Sequence, residues 1–76
     1  MDCLSDKKSD SRCRIRRIKG TGRFISRLTA MGFTENAIVY VIQNRGNNPV
    51  LVFARDTTVA IGKREARDIL VEEASA

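Results

Sequence analysis

Seven cationic side chains crowd the stretch from Arg12 to Arg27: Arg12, Arg14, Arg16, Arg17, Lys19, Arg23 and Arg27. Their chemistry is anion binding, since guanidinium and ammonium groups pair with phosphate or carboxylate oxygens. The chain has 14 Lys/Arg against 9 Asp/Glu, a net charge of +5. The excess is uneven: residues 1–33 hold nine bases and three aspartates, residues 34–76 five bases and six acids. Such a patch suits a polyanion: nucleic acid, anionic lipid headgroups or an acidic protein face. The plainer account is a solvated strand face that keeps a small protein in solution. Phe24 is the only aromatic near these arginines in sequence. Single-strand binding uses aromatic stacking platforms, so nucleic acid is not the expected partner.

Other chemistry is sparse. There is no histidine, which excludes a Ser-His or Cys-His triad and any histidine-based metal site. Cys3 and Cys13 are two isolated thiols, fewer than the four ligands of a structural zinc site. A cytosolic location argues against a disulfide between them. Cys13 reads as a small buried hydrophobe at the start of a strand. The carboxylates fall at turns, termini and helical surface, where charge is simply solvated. Gly20-Thr21-Gly22 follows Lys19 but lacks the Gly-Lys-Ser/Thr of a phosphate-binding loop, and reads as a strand-to-helix turn. No enzyme activity and no cofactor are expected.

The elements that position these groups follow from periodicity. Residues 1–11 are polar and read as a flexible N-terminal extension, with Leu4 its one apolar anchor. Cys13 and Ile15 alternate with Arg12, Arg14 and Arg16, the period of a half-buried strand. Arg16-Arg17 puts Ile18 out of phase, which a bulge or the end of the strand near Arg17 would explain. Phe24, Leu28 and Met31 lie at i, i+4 and i+7, an amphipathic helix of two to three turns flanked by Ile25. Thr21 suits its N-cap and Gly32 its left-handed end. Strands follow at 37–43, 50–55 and 58–61, with a tight corner at Asp56-Thr57. A single helical turn over 62–68 precedes a closing strand at Ile69–Val71, and residues 73–76 form a tail.

At 76 residues there is room for one small domain. Five short strands with one early helix predict a mostly β fold, a small SH3-like barrel. An OB-type barrel fits less well, because its helix falls between strands three and four. No apolar run reaches the roughly 20 residues of a membrane span. The N-terminus lacks the basic and apolar regions of a signal peptide, so a cytosolic protein is expected.

Two segments are more specific. Arg27-Leu28-Thr29-Ala30-Met31-Gly32-Phe33, preceded by Gly20 and Gly22, resembles the RL-x-x-MG signature of the ferrous-iron transport protein A (FeoA) family. Ala60-Ile61-Gly62-Lys63-Arg64-Glu65-Ala66, followed by Ile69 and Val71, is similar to that family's C-terminal pattern. The resemblance covers about residues 12–72. Glu35-Asn36 stands where the family often has Pro-Gly, and Asn36 suits the same left-handed turn. The motif residues Gly20, Gly22, Leu28, Met31, Gly32, Ala60, Gly62, Ala66 and Ile69 read as structural.

The resemblance implies an SH3-like domain of a prokaryotic, cytoplasmic accessory to the membrane ferrous-iron permease, whose cytosolic part binds guanine nucleotide. The same fold occurs as the C-terminal domain of metal-dependent repressors, but this chain has no helix-turn-helix segment. The resulting expectation is a non-enzymatic adaptor that modulates the permease, with Arg23 and Arg27 as electrostatic contacts and Ile25 as an apolar anchor. The alternatives are a nucleic-acid-binding barrel and a small metal-binding or metal-sensing module using the cysteines. Self-association through an exposed edge is a further expectation.

Overall fold

Alternation of apolar and charged residues builds the sheet. In the computed structural model, which describes residues 1–74, six antiparallel strands run in the order β1-β6-β2-β3-β4-β5. They are β1 (Asp2–Cys3), β2 (Ser11–Ile18), β3 (Ile38–Gln43), β4 (Val50–Ala54), β5 (Thr57–Ile61) and β6 (Ile69–Glu73). Two helices interrupt them, α1 (Gly22–Ala30) and α2 (Lys63–Ala66). Cys13 and Ile15 of β2, Val39 and Val41 of β3, and Val50 and Val52 of β4 point to one face and are almost wholly buried. The alternate residues point outward, as the two-residue period requires.

α1 starts and stops where its residues dictate. The Phe24 amide donates to the Thr21 hydroxyl at 3.2 Å, which caps the first turn. Phe24 and Leu28 are its buried residues. Gly32 then takes φ +87°, and the Phe33 amide reaches back to the Leu28 carbonyl at 2.9 Å. That reversal drops Phe33 into the core, where it is fully buried. Asn36 takes φ 72°, as the turn before β3 needs.

The structure differs from these expectations at the sheet and at both ends of the chain. The sheet has six strands rather than five, and it is open rather than a five-stranded barrel: among the described residues β5 pairs with β4 alone. The additional strand is β1, whose Asp2 and Cys3 pair with Val71 and Leu70 of β6. Where the sequence reading places an extension, β1 and a 3-10 turn (Leu4–Asp6) carry Leu4 into the core at 1% exposure. Two residues are too few for any periodic signal. The closing strand is also longer than predicted: Glu72 and Glu73 pair with Arg14 and Cys13 of β2. Ser75 and Ala76 of the predicted tail lie outside the described residues. The bulge falls where the alternation breaks, between Ile15 and Arg17.

Asn44 ties the N-terminal segment down. Its side-chain amide donates to the carbonyls of Ser5 at 3.0 Å and Lys7 at 2.5 Å, and its backbone amide donates to the Ser9 hydroxyl at 2.9 Å. Its carbonyl oxygen accepts from the Lys63 ammonium of α2. One side chain thus joins the N-terminal segment, the end of β3 and α2.

Leu4→Ala is expected to cost about 2–4 kcal/mol in urea unfolding, as for a buried leucine; a loss under about 0.5 kcal/mol would show the segment to be dispensable. Glycine swaps give a second check. A Cβ on Gly32 would sit 2.5 Å from Arg55 Cδ on a positive-φ backbone, whereas one on Gly22 meets nothing within 4 Å. Gly32→Ala should therefore lose about 1–2 kcal/mol and Gly22→Ala none, read from the unfolding midpoints of the two variants.

Candidate functional site

The residues singled out on α1 separate in three dimensions. Phe24 and Leu28 face the core, and Arg23 and Arg27, also four apart, lie on the exposed side. Arg27 reaches across to α2: its guanidinium donates to the Glu65 carboxylate at 2.8 Å and lies 5.7 Å from the centre of the Phe24 ring. Arg23 is exposed and has no ion pair among the described residues. Ile25 is half-buried rather than fully exposed, and its carbonyl accepts from the Thr29 hydroxyl at 2.8 Å.

Beneath the Arg27–Glu65 pair runs a cleft of about 310 Å³. Phe24, Leu28 and Met31 form one wall, and Val59, Ala60 and Ile61 of β5 form the other. Of the three residues expected to contact a partner, only Arg27 lines this cleft. Arg23 and Ile25 lie on α1 outside it. Glu65 and Val59 were not singled out by sequence, because nothing local indicates that β5 and α2 face α1.

The cleft combines three recognition elements. Its walls are apolar. Its rim carries an ion pair whose side chains are 58% and 45% exposed, so the pair contributes only about 0.2–1 kcal/mol and is readily exchanged for a partner's charges. Its β5 wall is an edge strand with a neighbour on one side, the setting for strand addition by a peptide. A second cleft of about 320 Å³ lies between the α1–β3 connection and the β4–β5 hairpin, beside Thr34, Glu35, Asn36 and Arg55. Its walls are more polar, with fewer apolar groups to anchor a partner.

The thiols do not converge on a site. Cys3 and Cys13 lie on β1 and β2, with β6 between them. Burial pushes the Cys13 thiol up, with Lys7 pulling the other way and Glu73 and Asp2 adding to the rise. Cys13 is thus held neutral in the core. Among the described residues no three Cys, Asp or Glu side chains gather in a way that could hold a metal ion.

The motif residues fall in differing surroundings, and Leu28, Met31 and Ala60 among them line the α1–β5 cleft. Gly20 takes φ +111° before α1, and Gly62 is the N-cap residue of α2. Ala66 and Ile69 are fully buried, and Met31 packs against the core from the end of α1. Ala60 is exposed on β5.

Comparison with known proteins places this architecture. A crystal structure of the iron uptake regulatory protein FeoA is similar at TM-score 0.86 and 24% identity, covering 93% of this chain and 95% of that one. The solution structure of the FeoA protein from Chlorobium tepidum matches at TM-score 0.88 and 20% identity, over 96% of this chain and 70% of that one. A manganese-dependent transcriptional repressor shares the fold at TM-score 0.84 and 18% identity, with 95% of this chain covering 41% of the repressor. No curated protein matches the chain significantly. The model of the FeoA domain family matches residues 3–73, starting within the N-terminal segment that the fold ties to β6. The chain therefore belongs to the FeoA domain family, and membership implies a role in ferrous-iron transport.

Proposed function

We propose that this chain is a cytoplasmic, non-enzymatic accessory of ferrous-iron uptake that docks on the GTP-binding cytosolic domain of the membrane iron permease and modulates it. The observation that carries the reading is the α1–β5 cleft, in a domain of the FeoA family. Apolar walls supply desolvation energy, and the open β5 edge supplies backbone hydrogen bonds. Arg27 supplies a charge that leaves Glu65 for an acidic group of the partner. The energy of docking comes from the walls, while Arg23 and Arg27 set encounter rate and salt dependence. Among the described residues no helix is long and apolar enough to cross a membrane.

The test is the affinity of the purified chain for the permease's cytosolic domain, measured calorimetrically at low and moderate salt. Arg27→Glu places a like charge beside Glu65 and should weaken binding by about tenfold or more. Its unfolding midpoint should shift little, because the native pair is exposed. Arg23→Glu, outside the cleft, should weaken binding less and mainly through the association rate. Equal affinity of wild type and both variants would overturn the assignment of this surface. Loss with Arg23→Glu alone would move the contact to the outer flank of α1.

A further inference from the structure

The outer face of the sheet carries a feature invisible in the sequence. Strand register sets Arg12 of β2 directly beside Tyr40 of β3, and Tyr40 directly beside Phe53 of β4. These are three flat groups in a row, on strands spaced about 4.8 Å apart. The Arg12 guanidinium lies 5.9 Å from the centre of the Tyr40 ring, and the Tyr40 and Phe53 rings are 6.4 Å apart. Tyr40 and Ile42 are the large hydrophobic residues most exposed in the body of the fold, at 44% and 43%. The aromatics missing among the arginines in sequence are thus supplied across the strands.

Cationic groups flank the row on one side. Arg14 lies two residues along β2 from Arg12, about 6.6 Å further on, with Arg16 beyond it. A guanidinium has five N–H donors, more than the contacts of Arg14 and Arg16 engage. Arg14 donates to the Asn36 carbonyl at 3.3 Å. Arg16 donates to the Asn36 side chain at 3.2 Å and pairs with Glu72 at 3.5 Å. Glu72, beside Arg14 in register, is the carboxylate that opposes an anion here.

We propose that this face binds single-stranded nucleic acid, with bases stacked on the Tyr40–Phe53 row and phosphates along Arg14 and Arg16. This is a second surface, distinct from the α1–β5 cleft. A polyanion that also carries flat groups matches the layout, because the row of rings crosses the strands and meets, at Arg12, a line of guanidinium groups running along β2 on the same sheet face. A bilayer matches it less well: Tyr40 and Ile42 sit within the sheet face and are less than half exposed, so they do not project as an insertion tip. Duplex nucleic acid keeps its bases stacked internally and offers the rings nothing to stack on.

Fluorescence anisotropy with labelled oligonucleotides of about 12 nucleotides, single-stranded and duplex, tests this at about 50 and 200 mM salt. Single strands should bind more tightly than duplex, with affinity falling steeply as salt rises. Tyr40→Ala should weaken binding about tenfold, and Tyr40→Phe, which keeps the ring, should restore it. Arg14→Gln, which removes the charge without setting a second carboxylate beside Glu72, should weaken binding and flatten the salt dependence while leaving the unfolding midpoint near that of wild type. Absence of single-strand binding at the lower salt overturns the proposal. So does binding that Tyr40→Ala leaves unchanged. Adsorption to vesicles of phosphatidylglycerol and phosphatidylcholine without oligonucleotide binding overturns it in favour of a lipid surface.

Discussion

Burial of Phe24 and Leu28 beneath the sheet holds α1 in place, and most of what the molecule can do depends on that contact. A nine-residue helix is marginal alone in water. Removing each of these side chains from water is worth roughly 1.5–3 kcal/mol, and the Thr21 cap adds about 1 kcal/mol. Gly32 then reverses the chain so that Phe33 enters the same core. Without that docking there would be no wall opposite β5, and Arg27 would not stand within reach of Glu65. Structural and functional roles are thus interleaved along one helix. Residues at i and i+4 on the inner side fix the position of residues at i and i+4 on the outer side.

The sheet divides the molecule in a similar way. Its inner face is apolar throughout, with Cys13, Ile15, Val39, Val41, Val50 and Val52 interlocked. Its outer face is mixed: the arginines of β2, aromatic and aliphatic residues of β3 and β4, and Glu72 of β6. The two faces are coded by alternate residues, so a slip of one residue in register would exchange core for surface. Asn44 opposes such slippage at one end of β3 by fixing the N-terminal segment to it. The open edge at β5 is covered only in part, by α1 across the cleft. An uncovered edge is a hazard unless a partner uses it.

Local signals were legible in the sequence and non-local ones were not. Thr21, Gly32 and Asn36 each act through their own few residues, and their cap and turn roles could be read directly. The doubled arginine at 16–17 marked a break in the alternation, since period two cannot absorb an extra residue, but whether the strand bulged or ended there depended on its pairing with β6. The strand β1 has no sequence signal of its own, because two residues have no period, and only the apolar Leu4 beside it marks the segment. Whether the sheet closes depends on which strands come to lie side by side, which composition does not encode. The same holds for the candidate site. Arg27 was identified by its place on a helix, but its partner Glu65 lies 38 residues away. Tyr40 read as one strand residue among several until register set it beside Arg12. The flanking position of Ile25 suggests an exposed anchor, whereas the fold half-buries it away from the cleft.

The most direct measurement is a chemical-shift titration of the isotopically labelled chain with the permease's cytosolic domain. Docking in the α1–β5 cleft predicts that the largest amide shifts fall on residues 27–31, on β5 and on Glu65, with the outer face of β2–β4 unmoved. Shifts confined to the outer sheet face, or none at saturating permease domain, would contradict the account.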